Sequence, residues 1–178
     1  FVGGWNNQFS FHQFDLSLFF NFVVGNDIYN ANRIEWTDGS FPNLNTLAIV
    51  KDRWTNYNAQ GQLVTDPKEL TALNANARIW TPVNSNRYFL HSAVIEDGSF
   101  LRLNNLTLGY SLPTNVLKKM RMSQFRVYGT VNNLFTATNY SGYDPEVTAR
   151  RNDPLTPGVD FAAYPRATVW VFGLNVTF

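Results

Sequence analysis

A period of two constrains this chain more than any other feature. In "FDLSLFFNF", Phe14, Leu16, Leu18, Phe20 and Phe22 alternate with Asp15, Ser17, Phe19 and Asn21. In "VWVFGLNVTF", Trp170, Phe172, Leu174, Val176 and Phe178 alternate with Val171, Gly173, Asn175 and Thr177. Successive side chains of a strand point to opposite faces, so this pattern marks strands with one apolar face. "SQFRVYGTVNN" repeats it, with Phe125, Val127 and Val131 against Gln124, Arg126, Tyr128, Thr130 and Asn132. So does "SFLRLNNLTLGYSL", through Leu106, Leu108, Tyr110 and Leu112, although Leu101 and Leu103 fall out of phase. One extra residue near Asn104 and Asn105, a β-bulge, would return all these side chains to one face. The expected strands cover about residues 10–22, 99–112, 123–133 and 167–178.

Their connections alternate in length. "PTNVLKKMRM" is a short turn, whereas about 23–97 and about 134–165 are long loops of the kind that usually carries function. The first long loop has local structure of its own. "FPNLNTLAIVKDRW" reads as a short helix with Leu44, Leu47, Ala48 and Trp54 on one side. "DPKELTALNA" reads as a second, with Asp66 as N-cap, Pro67 at the first helical position and Glu69 completing a box-like start. Asn, Thr and Asp fill the rest, as suits irregular surface backbone.

Two architectures can house such strands. A soluble β-sandwich, in the manner of a carbohydrate-binding or interaction module, would bury the apolar faces against each other. It would normally show more and shorter strands, spaced about 8–12 residues apart with tight turns. A transmembrane β-barrel needs about 9–11 residues per crossing strand, apolar outward and polar inward, with short turns at one end and long loops at the other. The expected strands meet that length, and the loops follow that rule. Composition agrees: aromatic residues reach 16% and charged residues only 15%, against roughly 25% charged in soluble domains. Girdles at the membrane interfaces account for the aromatic excess. The fold class is therefore all-β, an antiparallel transmembrane barrel with long extracellular loops carrying short helices.

The apolar faces of Phe14 to Phe22, Leu106 to Leu112, Phe125 to Val131 and Trp170 to Phe178 then meet outer-membrane lipid. Four strands cannot close a barrel, whose smallest forms have about eight. Open edges in hydrocarbon would leave backbone groups unpaired at several kcal/mol each. The chain is therefore expected to pair with further strands of the same parent polypeptide or a companion chain. Its start, "FVGGWNNQFS", has neither methionine nor a signal-peptide pattern, which fits a mature piece of something longer. The short turn is assigned to the periplasm, so the long loops face outward and Phe178 ends in the periplasm.

"DGSFLRLNNLTLGYSLP" (Asp97 to Pro113), "FRVYGTVNNLFTATNYSGYDPEV" (Phe125 to Val147) and "YPRATVWVFGLNVTF" (Tyr164 to Phe178) resemble the C-terminal end of SusC/RagA-type TonB-dependent transporters. "FSFHQFDLSLFFNFVVGNDIYN" and "RIWTP" are similar to the same family's preceding strand and loop, whereas about Ala59 to Ala77 has no counterpart. The resemblance implies a barrel of 22 strands filled by an N-terminal plug, of which this chain would be the last four strands. It implies import of oligosaccharides or peptides across the outer membrane of Bacteroidetes. TonB would act through an N-terminal region absent here, with a SusD-like surface lipoprotein as lid. The aromatic ending, with Trp170, Phe172 and Phe178, resembles the signal read by the barrel-assembly machinery.

Candidate contacts follow from this placement. Tyr140, Tyr143, Asp144 and Glu146 of "NYSGYDPEV" could meet substrate or lid; alternatively, Gly142 and Pro145 form a turn that packs this loop on the barrel. Asp15, Arg102, Arg126 and Tyr128 are expected to face the lumen, toward substrate or plug, or as paired residues of the wall.

Other functions find little support. Net charge is +1, which offers nothing to nucleic acid, and cysteine is absent. Asp144, Glu146, Asp153 and Asp160 share a loop but lack EF-hand spacing, so no metal is assigned. His12 and His91 are the only histidines, and no catalytic triad, phosphate cradle or metal-spaced histidine cluster is present. No cofactor and no enzymatic activity are expected. The sequons at Asn105, Asn139 and Asn175 are chance matches in a bacterial outer-membrane setting.

Overall fold

A computed structural model describes residues 1–37, 39, 43–81, 92–146 and 158–178. In chain order it contains β1 (Val2–Phe11), β2 (Phe14–Val23), β3 (Asp27–Asn30), α1 (Ala31–Glu35), α2 (Pro67–Leu73) and β4 (Ile95–Asp97). There follow β5 (Phe100–Ser111), α3 (Thr114–Met120), β6 (Gln124–Thr138), β7 (Val159–Asp160) and β8 (Val169–Thr177). The described residues divide into two compact units, one built on the long strands and one on Tyr29–Ile95 with Asp160–Ala162.

The first unit is an antiparallel five-stranded sheet of order β1-β2-β5-β6-β8. Its strands have 10, 10, 12, 15 and 9 residues. β1 is a strand that the alternation did not mark, and the expected strand from residue 10 divides accordingly. Residues 10–11 close β1, His12 takes a positive φ of 52° in a tight turn, and β2 starts at Phe14. The reason is compositional: the face that pairs with Phe14, Leu16, Leu18, Phe20 and Phe22 holds Phe11, Phe9, Asn7, Trp5 and Gly3. Asn7 and Gly3 interrupt the apolar row. β6 also runs further than expected, to Thr138.

The bulge lies where the leucine phases require it. Phe19 pairs with Asn105 and Phe20 with Leu103, so Asn104 is the extra residue in β5. Leu101, Leu103, Leu106, Leu108 and Tyr110 thereby share one face with Phe22, Phe20, Leu18, Leu16 and Phe14. Opposite this point β6 shifts register as well, with Asn133 at φ 52°. The apolar face continues through Val127, Val131 and Phe135 of β6 to Trp170, Phe172 and Leu174 of β8. Trp5, Phe20 and Phe135 form a chain of rings, at 6.0 and 6.5 Å between centroids. Phe172 is 79% exposed and Phe178 86%, where a sandwich core would bury them.

Both tight connections lie at one end of the sheet. Ser111 N donates to Gln13 O and Ser123 N to Thr177 O. The turn between β5 and β6 is helical: α3 starts after Pro113 and ends at Arg121, which takes the left-handed conformation.

In the second unit α2 begins as its sequence dictates. The Asp66 carboxylate accepts from the backbone N–H groups of Lys68 and Glu69, and Pro67 opens the helix. The helix expected around Leu44, Leu47, Ala48 and Trp54 is shorter, a 3₁₀ segment at Ala48–Asp52. Leu47 at its N-cap offers no side-chain acceptor, and short uncapped segments favour the tighter helix. The Asn74 amide ties this part together, accepting from Thr55 N and donating to Thr55 O and Leu70 O. A second sheet, of order β4-β3-β7, is small. Among the described residues no helix is long and apolar enough to cross a membrane.

Candidate functional site

The sheet's other face is polar and organised in cross-strand rows. Asp15, Gly109, Tyr128 and Gly173 stand side by side on β2, β5, β6 and β8. Arg126 donates through Nη2 to Asp15 Oδ2 at 2.5 Å and through Nε to Oδ1 at 3.1 Å, reaching from β6 across β5 to β2. Such a span requires a glycine beneath it. A Cβ on Gly109 would collide with both the carboxylate and the guanidinium. Tyr128 lies under Arg126, 5.1 Å from guanidinium carbon to ring centre, and its ring fills the space a side chain at Gly173 would need. Further along, Thr107 and Thr130 share a 2.9 Å hydroxyl contact, and Asn105 Nδ2 donates to Asn132 Oδ1 at 2.9 Å.

At the loop end of this face stands Arg102, 2% exposed. Its row places it between Asn21 and Thr136. Nε donates to Thr136 Oγ1 at 3.0 Å, Nη1 to Glu146 Oε2 at 3.1 Å, and Nη2 to Asp144 Oδ1. Asp144 Oδ1 also accepts from Glu146 N, and Oδ2 from Arg166 N at 3.1 Å. Arg166 Nη2 lies 2.8 Å from Glu146 Oε1. One strand arginine thus fastens the start of the second long loop, while Asp144 and Glu146 hold the segment that leads into β8.

These contacts set the charge state of Asp144. Burial alone would raise its pKa. The backbone N–H donors of Glu146 and Arg166, together with the Arg102 guanidinium, outweigh burial and hold it below the usual aspartate value of 3.8.

The same loop is pinned elsewhere. Ser141 donates through N and Oγ to the two carboxylate oxygens of Glu96, at 2.9 and 2.8 Å. Tyr140, 6% exposed, packs with Ile28 and Ala163, and its ring passes so close to Gly142 that any side chain there would strike it. Of the four loop residues singled out by sequence, Tyr140 and Asp144 are buried, Glu146 is exposed but paired with Arg102 and Arg166, and Tyr143 is 71% exposed. Asp15, Arg102, Arg126 and Tyr128 share the polar face, but as two separate groups. Trp170 and Phe172 stand on the opposite, aromatic face. His91 and Asp153 lie outside the described residues.

The pairing of Arg102 with Asp144 and Glu146 escaped the sequence reading because 42 and 44 residues separate the partners. The available signal was an arginine on the polar side of a strand, together with a downstream loop carrying two carboxylates.

No protein-family model matches the chain. Full-length comparison is more informative. TonB-dependent receptor P3 of Formosa agariphila is 30% identical over 182 residues, which takes in 100% of this chain and 16% of that protein. TonB-dependent receptor P39 of the same species is 32% identical over 180 residues, with the same shares. TonB-dependent receptor SusC of Bacteroides thetaiotaomicron is 41% identical over 93 residues, 51% of this chain and 8% of SusC. Among solved structures, the RagAB peptide importer in its "open-open" state superposes with a TM-score of 0.72 at 26% identity, over 99% of this chain and 17% of that one. Its "closed-closed" state gives 0.75 at 25% identity, over the same shares. The chain thus spans about 16% of the length of the curated relatives it matches end to end. With a sheet that is aromatic on one face, polar on the other and alike in course to RagAB, this chain belongs to the SusC/RagA-type TonB-dependent receptors, a family of outer-membrane β-barrels.

Proposed function

We propose that the chain forms part of the wall of a TonB-dependent importer that carries oligosaccharides or peptides across the outer membrane. The division of the sheet carries this reading: Trp5, Phe20, Phe135, Trp170 and Phe172 on one face, Asp15, Arg126, Thr107 and Asn132 on the other. Lipid suits the first face and a water-filled lumen the second. β1 and β8 stand at the outer edges of the sheet order. Unpaired edges in hydrocarbon cost several kcal/mol per group, so further strands of the parent receptor or a companion chain continue the wall on both sides.

In this reading the complete wall has 22 strands around an N-terminal plug. TonB acts through a region outside this chain, and a SusD-like surface lipoprotein closes over the long loops. Those loops lie outside the cell and the tight turns in the periplasm. Likeness to SusC and to RagAB, described as a peptide importer, supports the arrangement. Of the four loop residues singled out above, exposed Tyr143 is the one placed to meet lid or cargo, while Trp170, Phe172 and Phe178 present the assembly signal. Its role is transport rather than catalysis.

Purification of the intact receptor tests this. We expect it in the outer-membrane fraction, extracted only by detergent, with a SusD-like lipoprotein and a bound oligosaccharide or peptide identified by mass spectrometry. Recovery from the aqueous fraction without a lipoprotein contradicts it.

A further inference from the structure

Charge is distributed unevenly along the strands' direction. At the tight-turn end, α3 and its cap carry Lys118, Lys119 and Arg121 in the run "VLKKMRM". Among the described residues no carboxylate forms an ion pair with any of the three. Of the five long strands only β2 carries an acidic residue, Asp15, and it is already committed to Arg126. Every other acidic residue lies in the long connections.

The same helix is amphipathic in a particular sense. Leu117 is half-buried, but Val116 and Met120, four residues apart and hence on one side of a helix, are 39% and 48% exposed. Around this end the apolar face of the sheet finishes in aromatic rings. Phe11 is 73% exposed, Phe14 meets Tyr110 with ring centres 4.8 Å apart and planes tilted by 50°, and Phe178 is 86% exposed. Rings at the end of a lipid-facing strand mark the level of the headgroups. A short helix continuing from those strands, with two bare apolar side chains and three unmatched cations, has the composition of an interfacial anchor.

We propose that α3 is a phospholipid-binding anchor: Val116 and Met120 enter the acyl boundary, and Lys118, Lys119 and Arg121 hold the phosphate groups of glycerophospholipids in the adjoining leaflet. The occupant is inferred from charge complementarity and from continuity with the lipid-facing side of the sheet. Anionic headgroups are preferred, at roughly fivefold per cation, the factor that corresponds to about 1 kcal/mol near a charged surface. The proposal rests on the membrane placement of the sheet, so its test includes a separate control for that placement.

The absence of cysteine from this chain makes a site-specific probe straightforward. The intact receptor, with its other cysteines replaced if it has any, is reconstituted in vesicles of phosphatidylcholine containing either brominated phosphatidylglycerol or brominated phosphatidylcholine at equal mole fraction. A bimane label is placed at Asn115→Cys beside the anchor or, as control, at Leu174→Cys on the aromatic face. The expected result is quenching at both positions, with an excess for phosphatidylglycerol at position 115 only. That excess should be lost in Lys118→Gln/Lys119→Gln/Arg121→Asn and suppressed by high salt. Asparagine is chosen at 121 because that position has φ 54°, which asparagine tolerates; quenching at position 174 in the triple variant checks that the barrel still inserts. Quenching at 174 without quenching at 115 overturns the anchor and leaves the barrel intact. Equal quenching by both lipids at 115, unchanged in the triple variant, also overturns it. No quenching at 174 overturns the membrane placement, and the anchor with it.

Discussion

The Asp15 carboxylate and the Arg126 guanidinium, 111 residues apart in sequence, meet across β5 above Gly109. Their side chains are 39% and 24% exposed, so the pair is partly screened, and exposed pairs contribute only about 0–1 kcal/mol. The glycine matters more. In the intact receptor, Asp15→Asn should leave the urea midpoint of the folded barrel nearly unchanged. Gly109→Val should lower it, through a stability loss of about 1–3 kcal/mol on the scale of overpacked cores, because its side chain displaces both charged groups. Unfolding followed by gel mobility in micelles gives both numbers, and the reverse order would refute this role for Gly109.

Arg102 presents the opposite case, since it and Asp144 are both buried. Removing one partner of a buried pair costs about 3–5 kcal/mol, because the other charge is left uncompensated. Arg102→Met should therefore free the Tyr140–Glu146 segment while the strands hold. Hydrogen exchange read by mass spectrometry should show faster exchange there and unchanged exchange in β2 and β6.

The same clamp has a defined acid limit. Asp144 has a lowered pKa in the folded protein, so its ionisation stabilises the clamp fully above the ordinary aspartate value of 3.8. That contribution fades as pH falls through the lowered value. Protection of the Arg166 amide, which donates to Asp144 Oδ2, should be flat from neutral pH down to about 4 and drop below it. Asp144→Asn should show weaker protection with no such drop.

Gly173 is held open for Tyr128 in the same way as Gly109 for its ion pair. Gly173→Val should impair assembly, and Tyr128→Ala introduced alongside should restore part of the folded fraction. Heat-modifiable gel mobility of outer-membrane extracts reports the folded fraction. Failure of the second change to rescue would show that the glycine serves some other purpose.

How much of this could be read from sequence varied with the distance over which each feature is encoded. The bulge at Asn104 was legible because two leucine phases in one strand admit a single-residue correction. The start of α2 was legible because Asp66, Pro67 and Glu69 are consecutive local signals. β1 was hidden by Gly3 and Asn7, which blunt the contrast between its faces although its partner is strongly alternating. The Leu44 to Trp54 segment had a plausible apolar side without a cap, and only a 3₁₀ turn formed. The Arg102 clamp was invisible, since a loop's return to its own barrel wall leaves no periodic trace. Of the two readings open for this loop, ligand contact or packing on the barrel, Tyr140 and Asp144 follow the second, and only the partner that holds them was hidden.

The account depends on which side of the sheet meets lipid, and β8 offers the most direct measurement. Single cysteines at positions 170 to 172 and 174 to 176 of the intact receptor, freed of any other cysteines and reconstituted in vesicles, can be labelled by a membrane-impermeant maleimide or, after bimane attachment, quenched by brominated acyl chains. The account predicts quenching at 170, 172, 174 and 176, with maleimide labelling from the lumen at 171 and 175; Gly173, whose place Tyr128 fills, is left unchanged. Uniform aqueous labelling, or the opposite alternation, would contradict it.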